Sequence, residues 1–265
     1  MKLFISSDIE GTAGICTWDE TEPGSKLYEY FSAQMTREVR GACRGAQEAG
    51  VQEVVVKDAH DTARNIIPEE LPEGVRILRG WTGGPASMMA GLDASFGAAA
   101  MTGYHSGCAV NGNPLSHTMN LQNEYIKING ELASEFRINA YYAGYLGVPV
   151  VFVSGDKALC ESARAICPNI TAVAVSEGMG GASLSLQPAE AVKRIRAGMA
   201  EALRKDVSQC KVVLPASFQV EVRYREHKAA FRNSFYPGAK AVDDKTVVFS
   251  SGDYMDVLKF FMFCL

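Results

Sequence analysis

Uninterrupted apolar runs alternate with helical patterns along the first half of the chain. Short strands are predicted at 3–5, at 51–57 with Val54-Val55-Val56 at its centre, and at 148–153, because their continuous apolar runs are typical of strands buried on both faces. Between the first two runs, apolar residues repeat at three- and four-residue steps over about residues 28–49 and predict a helix, which Gly50 would end. This order predicts an α/β fold with a mostly parallel central sheet and helices on both faces.

The pattern changes near residue 212. Residues 218–224 alternate apolar and polar side chains, as a half-exposed antiparallel strand does. A helix is predicted over 226–235, a strand over 245–250 and a closing helix over 253–263. We therefore predict an α/β domain over residues 1–210 and a smaller α+β lobe over 211–265, with one continuous domain as the open alternative.

Weaker patterns supply the remaining elements. Further strands are predicted at 75–78, 97–103, 124–128 and 171–175, and further helices at 85–92, 131–146, 156–167 and 188–205. The strand at 97–103 consists largely of small residues, which permit neighbouring elements to approach closely. No internal repeat or low-complexity segment interrupts this order.

Composition and charge narrow the classes of partner. The chain has 265 residues, of which 47% are hydrophobic, and its net charge of −4 lacks long runs of one sign. We expect no nucleic-acid or membrane partner, because neither a basic surface nor an apolar run of about 18–20 residues is present. The beginning of the chain lacks the pattern of a secretory signal, and its seven cysteines are odd in number and scattered. These features predict a cytoplasmic protein with reduced thiols.

Ligand-type side chains follow several of the predicted strands. Asp8 and Glu10 come after the first strand, and alternation directs both carboxylates to one side. His60 follows the second strand and His105 a later one. The carboxyl ends of parallel strands meet at one edge of a sheet, so we expect these four side chains to converge. Two carboxylates with two imidazoles predict a divalent metal site, and zinc prefers such ligands.

A fifth ligand would come from the helix predicted over residues 131–146. Glu131 and Glu135 compete equally for this role when only the residue pattern is considered. Two histidines and three carboxylates suit a two-metal site in which one carboxylate bridges the cations. Asp8 is the best-placed bridging residue, because it lies at the strand end between the other groups.

Five separated motifs resemble the D-aminopeptidase family of zinc peptidases, the DppA type or peptidase family M55. The motifs are Asp8-Ile9-Glu10-Gly11 with Gly14, Lys57-Asp58-Ala59-His60, Gly103-Tyr104-His105, Ser116-His117, and Glu135 followed by Asn139-Ala140-Tyr141-x-Ala143-Gly144. They occur in order from residue 1 to about residue 175, whereas the C-terminal third matches only loosely.

The resemblance implies a function and assigns roles to residues. It implies two zinc ions per chain, held by Asp8, Glu10, His60, His105 and Glu135, and so selects Glu135 over Glu131. It places His117 beside the metals as the catalytic residue, acting as acid, base or nucleophile. It further implies cleavage of N-terminal D-residues from short peptides, and a ring-shaped homo-oligomer, a decamer, that encloses the site.

The chain also departs from the family pattern. Residues 176–181 read Ser-Glu-Gly-Met-Gly-Gly where the family pattern predicts a lysine and then an arginine. This departure affects the expected substrate preference more than metal binding. His227 lies among charged residues outside the motifs and is interpreted as a surface side chain.

Two other functions compete with the aminopeptidase hypothesis. Binuclear centres also hydrolyse phosphoesters and other amides, but a phosphatase needs lysine or arginine beside the metals, and the motifs offer only Lys57 and Arg64. The second is a non-catalytic, metal-stabilised oligomeric binding protein. Such a protein would have a closed coordination shell and no use for His117.

Overall fold

Twelve strands form two separate sheets, and six α-helices pack against them. The computed structural model describes residues 1–265. The strands are β1 (Lys2–Ser7), β2 (Glu53–Asp58), β3 (Val75–Leu78), β4 (Ala98–Tyr104), β5 (Asn123–Ile128), β6 (Glu131–Leu132), β7 (Val150–Asp156), β8 (Thr171–Met179), β9 (Ala182–Ser185), β10 (Phe218–Tyr224), β11 (Lys240–Ala241) and β12 (Thr246–Ser251). The helices are α1 (Tyr28–Glu48), α2 (Glu135–Tyr145), α3 (Lys157–Ile166), α4 (Pro188–Arg204), α5 (His227–Asn233) and α6 (Tyr254–Cys264).

The larger sheet has seven strands in the order β3-β2-β1-β4-β7-β8-β9. All neighbours are parallel except β9, which returns antiparallel to β8 as a hairpin. The fold class predicted from the sequence, α/β with a mostly parallel sheet, is confirmed. Strand β1 lies between β2 and β4, so Ser7 at its end is level with Asp58 on one side and Thr102 on the other.

Helices cover both faces of this sheet, as the continuous apolar strands require. On one face, α1 and α4 pack against each other and bury side chains such as Met35, Val39 and Ile195. On the other face, α2 and α3 contribute Phe136 and Leu159 to a second apolar cluster. Strands β1, β4 and β7 supply residues to both clusters, which explains why their sequences lack polar alternation.

The smaller sheet is antiparallel and has the order β11-β12-β10-β5-β6. Strands β5 and β6 come from the middle of the chain, between β4 and α2, and β10 pairs with β5. The sheet therefore joins residues on both sides of position 210, and the division into 1–210 and 211–265 stays a prediction. Helix α6 packs on β10 and β12 and completes the apolar cluster of this lobe.

Two predicted helices differ from the observed elements. The helix predicted from residue 131 begins at Glu135, because Ser134 accepts a hydrogen bond from the Arg137 N–H and caps the helix there. Residues Glu131–Leu132 form β6 instead. Within residues 85–92 only a short 3-10 turn, Ser87–Met89, is helical. Not one of the helices combines the length and the apolar character that crossing a membrane requires.

Candidate active site

The carboxyl ends of β1, β2 and β4 lie side by side, and each is followed by ligand-type residues. Asp8 and Glu10 follow β1, His60 follows β2 and His105 follows β4 directly. All four side chains are buried. The structure thus brings together the side chains that the strand-end rule predicts to converge.

Two glycines permit the strand ends to meet. A Cβ atom at Gly103 would overlap the carbonyl oxygen of Asp8, and Gly103 has φ of +66°, where side chains are strained. A Cβ at Gly11 would overlap the carbonyl oxygen of Tyr104. The backbone after β1 also donates from Asp8 N to Thr102 O at 2.9 Å. Backbone-to-backbone packing therefore fixes where the two carboxylates emerge.

His60 presents a lone pair to the two carboxylates of β1. Its Nε2 lies 3.0 Å from the carbonyl oxygen of Thr21, which can only accept a hydrogen bond, so Nε2 carries the proton. Its Nδ1 lies 3.2 Å from Asp8 Oδ1 and 3.1 Å from Glu10 Oε2. In the neutral ring, three electron-rich atoms thus face one another at hydrogen-bond distance.

His105 repeats this arrangement with the other ring nitrogen. Its Nδ1 donates to the carbonyl oxygen of Ser106 at 2.8 Å. Its Nε2 faces Glu135 Oε2 at 3.5 Å and Asp8 Oδ2 at 3.6 Å, and this buried nitrogen has no hydrogen-bond partner. A histidine that donates one nitrogen to a carbonyl and leaves the other free is the usual state of a metal-binding histidine.

His117 lies over His105, with the ring centroids 4.4 Å apart and the rings nearly parallel. Its Nδ1 donates to the carbonyl oxygen of Leu115 at 2.9 Å. Its Nε2 points to Glu135 Oε1 at 3.5 Å and Glu10 Oε1 at 4.0 Å. The ring is partly exposed, unlike the buried rings of His60 and His105. His117 is therefore the histidine that a bound molecule can reach most easily.

Glu135 is the first residue of α2, and its position separates it from Glu131. Its Oε1 accepts a hydrogen bond from the Met119 N–H at 2.6 Å. Its Oε2 faces His105. Glu131 is exposed in β6. Of the two glutamates, Glu135 therefore lies among the buried histidines and carboxylates, and its role as the fifth ligand stays a prediction.

Burial and neighbouring charges perturb the pKa values of these groups strongly. Burial, with the Glu10 carboxylate second, raises the pKa of Asp8 well above its usual value. Burial acts in the same direction on Glu10 and Glu135, but the adjacent histidines outweigh it and lower both pKa values, that of Glu135 to about 2. Burial lowers the pKa of His60, but the nearby carboxylates outweigh this and raise it.

Three sets of ligand atoms lie close enough to hold a cation. Within each set, the atoms lie within 4.8 Å of one another. The sets are Asp8, Glu10 and His60; Asp8, His105 and Glu135; and Glu10, His105 and His117. Two buried atoms, Glu10 Oε2 and His105 Nε2, accept no hydrogen bond. These unsatisfied atoms and the fixed histidine tautomers fit a metal centre better than a network of protons.

Two buried aspartates hold the loops that carry the histidines. Asp58 accepts hydrogen bonds from the Ile66 N–H at 2.8 Å and from Asn65 Nδ2 at 2.9 Å. Asn65 Nδ2 also donates to the His60 carbonyl at 2.7 Å, which closes the loop around that histidine. Asp58 stands at a strand end, where polar residues gather around a site, but the sequence pattern alone does not reveal this supporting role.

Asp156 is the second of these aspartates, and it holds the loop that follows His105 in place through hydrogen bonds. It caps α3 by accepting from the Leu159 N–H at 2.8 Å. It also accepts from the N–H and from the hydroxyl of Ser106, each at 2.6 Å. Since the Ser106 carbonyl fixes the His105 tautomer, Asp156 supports that histidine through one intermediate residue. Asp156 is the last residue of β7, and a polar residue at the end of a buried strand is the feature of the sequence that points to this role.

A cavity of about 340 Å³ opens over the converging side chains. Both tryptophans of the chain line it, and the Trp18 ring meets the His117 ring edge-on at 5.4 Å. No lysine or arginine lines this cavity. Lys57 is fully buried beneath Trp81, where its Nζ donates to the Gly80 carbonyl at 3.0 Å. His227 is exposed and outside the site, as the sequence predicted.

The fold and the site define an α/β protein with a buried carboxylate–histidine centre of the kind that binds divalent metals. The family model described as peptidase M55, D-aminopeptidase, matches residues 1–263. The chain belongs to this family.

Two relatives agree with the family match. A curated D-aminopeptidase from Bacillus subtilis (strain 168) is 30% identical over 258 residues, which cover 97% of this chain and 93% of that protein. The solved structure of a protein described as the Zn-dependent D-aminopeptidase DppA from Bacillus subtilis, a self-compartmentalizing protease, superposes with a TM-score of 0.93. It is 28% identical, and the match covers 100% of this chain and 96% of that one. The family resemblance noted in the sequence is confirmed.

Proposed function

We propose that this chain is a zinc-dependent aminopeptidase that removes N-terminal D-residues from short peptides. Membership of the D-aminopeptidase family and the Zn-dependent relative support this class of enzyme. The observation that carries the proposal is the position of Asp8, which belongs to two of the three ligand sets. Its Oδ1 faces His60 and its Oδ2 faces His105, so one carboxylate can serve two cations.

We assign two zinc ions per chain to these two sets. One ion would be held by Asp8, Glu10 and His60, and the other by Asp8, His105 and Glu135. The third set consists of Glu10 and His105, which already serve the first two ions, and of His117. His117 is therefore not needed as a ligand and is free to transfer protons. A pair of divalent cations supplies Lewis-acid polarisation of a carbonyl group and makes water more acidic.

His117 would move the protons of the reaction. Because its Nδ1–H is held by the Leu115 carbonyl, Nε2 is the atom that can accept a proton or donate one. Nε2 points into the cavity beside Glu135 and Glu10, where the scissile bond would lie. As a general base it would take a proton from water, and as a general acid it would give one to the leaving amine. Direct nucleophilic attack by the same atom is the alternative role.

The two rival functions have less support. No lysine or arginine lines the cavity, and the Lys57 ammonium is engaged with backbone carbonyls below Trp81, so a phosphate group would find no cationic partner. A purely structural metal would be enclosed by protein, whereas this centre lies at the base of an open cavity.

The proposal extends to the assembly and the compartment. The relative described as self-compartmentalizing supports a homo-oligomer, and we propose the decameric ring that the family resemblance implies. Six of the seven cysteines are buried and none is bonded to another, which supports the reducing environment of the cytoplasm. Light scattering on the purified protein measures the subunit number directly, and a monomer would contradict the proposed ring.

Metal analysis combined with paired D- and L-dipeptides tests the function. We expect two zinc ions per chain and release of the N-terminal residue from the D-peptides. Two zinc ions with no cleavage of either stereoisomer would refute the peptidase while leaving the metal site intact.

Variants separate the catalytic role from the ligand role. His117→Ala should lower kcat by about 10²–10⁴-fold with zinc content unchanged, because it removes only the proton transfer. Asp8→Ala should cost both zinc ions, whereas Glu10→Ala should cost mainly one. His227→Ala, an exposed histidine elsewhere, is the matched control. Zinc loss in the His117 variant would show that this residue is a ligand.

A further inference from the structure

A second cavity, of about 470 Å³, adjoins the metal cavity. The two share Trp81, Met119 and Asn120 as wall residues. The remaining walls are the loop of residues 82–87, Ile138 and the polar Asn139 of α2, and apolar side chains in and just after α6, among them Phe261. This volume falls within the range of ligand pockets, about 300–1,000 Å³. The second cavity thus continues the metal cavity away from the carboxylate–histidine centre.

The second cavity has no charged side chain in its wall. The metal cavity, by contrast, is lined by five carboxylates, and only Asp8, Glu10 and Glu135 belong to the converging cluster. The other two, Glu22 and Asp61, are exposed at its wall with no lysine or arginine beside them in the lining. A cationic group is therefore favoured in the metal cavity, and an uncharged group in the second.

The wall between the cavities is held in a fixed orientation. Trp81 Nε1 donates to the Asp61 carbonyl at 2.6 Å, and the Lys57 ammonium lies 4.3 Å from the centre of the indole ring. Lys57 is itself buried and tied to the Gly80 carbonyl. Because the Trp81 indole is held by these two contacts, ligand binding costs little conformational entropy for ordering this side chain.

We propose that the second cavity binds the residue on the C-terminal side of the scissile bond and selects an uncharged, apolar side chain there. This inference rests on the proposed aminopeptidase function. The ammonium of an N-terminal residue would lie beside Glu22 and Asp61, with its carbonyl at the centre. The rest of the peptide must then leave the metal cavity, and the second cavity, which shares Trp81, Met119 and Asn120 with it, is the adjoining space.

The same wall composition defines what the second cavity excludes. A charged side chain would lose water there without gaining a partner of opposite charge. With no cation in either wall, a free C-terminal carboxylate also finds no anchor, so peptide amides and longer peptides should be accepted. The substrate class is therefore a peptide whose second residue is apolar and whose C-terminus is not recognised.

Peptide amides that differ only at the second residue test this selection. With D-Ala first and Leu, Glu or Lys second, kcat/KM for Leu should exceed the other two by at least about tenfold, as apolar pockets discriminate by about 10–200-fold per methylene. The amide removes the free carboxylate from the comparison. Equal kcat/KM for all three second residues would overturn the inference.

Charge placed at the rim of the second cavity should bias the selection. Thr82 is exposed and lines only the second cavity, so its substitution should leave the fold intact. Thr82→Glu should favour the Lys peptide and Thr82→Lys the Glu peptide, each by roughly two- to fivefold, the size of an exposed ion pair. Val213, 87% exposed and outside both walls, provides control variants with the same charges. If the ratio of kcat/KM for the Lys and Glu peptides is the same in both Thr82 variants, the second cavity does not bind the second residue.

Fluorescence gives a second measurement that does not need turnover. In a Trp18→Phe variant, Trp81 is the single tryptophan, and it lies in the wall of the second cavity. With zinc bound and turnover slowed by His117→Ala, its emission should change on titration with the Leu amide, and much less on titration with the Glu or Lys amide. Absence of cleavage would count against the proposed enzyme function, whereas an emission change that is independent of the second residue would refute this binding site.

Discussion

Replacing Glu38 with glutamine should remove the contribution of this one carboxyl group to the pH dependence of stability. Glu38 lies in α1 and is 1% exposed. Its Oε1 accepts hydrogen bonds from the Ala13 N–H at 3.0 Å and from Gln34 Nε2 at 3.1 Å, while its buried Oε2 has no partner. Burial raises the pKa of this carboxyl from 4.5 to about 7.

The sign and the size of the effect follow from proton linkage. Because the pKa of Glu38 is higher in the folded protein, the folded state binds more protons than the unfolded chain between pH 4.5 and 7. The free energy of unfolding therefore falls as the pH rises through this window. At 1.36 kcal/mol per pKa unit, a shift from 4.5 to about 7 corresponds to about 3 kcal/mol.

Urea unfolding at pH 5 and pH 8 measures this contribution. Glutamine has the shape of the protonated side chain and does not titrate. The free energy of unfolding of Glu38→Gln, relative to that of the wild type, should therefore be about 2–3 kcal/mol higher at pH 8 than at pH 5. With a urea dependence of about 1–3 kcal/mol per molar, the midpoint difference should change by roughly 1 M or more. Comparing variant with wild type at each pH cancels the titration of all other groups.

The control is Glu29→Gln, which removes an exposed carboxyl from the same helix. It should change the two midpoints equally. If Glu38→Gln behaves in the same way, the buried carboxyl does not titrate in this window, and the argument from burial is wrong.

Three further substitutions test how the site is held in place. Gly103→Ala should destabilise the protein by at least about 1 kcal/mol and lower its zinc content, because the new Cβ overlaps the Asp8 carbonyl at a positive φ. Lys57→Met should cost about 2 kcal/mol or more and raise KM, because it leaves buried carbonyls unpaired and frees the Trp81 ring. Asp156→Asn should weaken zinc binding about 10–100-fold, because it loosens the loop that fixes a ligand histidine.

Each of these substitutions has a matched control elsewhere in the chain. Gly50 has a positive φ but no neighbour within 4 Å of an added Cβ, so Gly50→Ala should cost stability without affecting zinc. Lys127 lies over a tyrosine ring outside both cavities, and Lys127→Met should leave KM unchanged. Asp206 caps a short turn away from the site, and Asp206→Asn should not alter zinc affinity. Equal effects in a variant and its control would refute the corresponding explanation.

The sequence predicted the parallel sheet and the residues at its strand ends for a local reason. A strand buried on both faces is apolar throughout, so a polar residue directly after it marks the edge of the sheet. Asp8 and His105 have this pattern, His60 follows its strand after one intervening residue, and the structure brings the three side chains together. Their role as metal ligands stays a prediction that the zinc measurements test.

Other parts of the site depend on contacts that no local pattern contains. His117 lies in a loop, and its place is set by the Leu115 carbonyl and by contacts with His105 and Glu135. The family resemblance, not periodicity, identified it. Lys57 sits in an apolar strand, and only the fold brings the Gly80 loop and the indole ring to its ammonium.

The pairing of strands in the smaller sheet could not be predicted, for a related reason. Alternation identified β10 as a half-exposed strand, but it does not say which strand lies beside it. Its neighbour β5 is earlier in the chain by 95 residues, counted from Asn123 to Phe218. The sequence thus predicted a lobe made of the C-terminal residues, whereas this sheet also takes β5 and β6 from the middle of the chain.

This pairing of β5 with β10 has a consequence for the order in which the protein is made. The loop that carries His117 runs directly into β5, which lacks its central partner until β10 has been synthesised. At about 5–20 residues per second, the 95 residues from the start of β5 to the start of β10 take roughly 5 to 20 s to synthesise. During that interval a growing chain holds all five side chains that we propose as metal ligands, but the loop of His117 is unsupported. The peptidase would therefore become active only when its synthesis is almost finished.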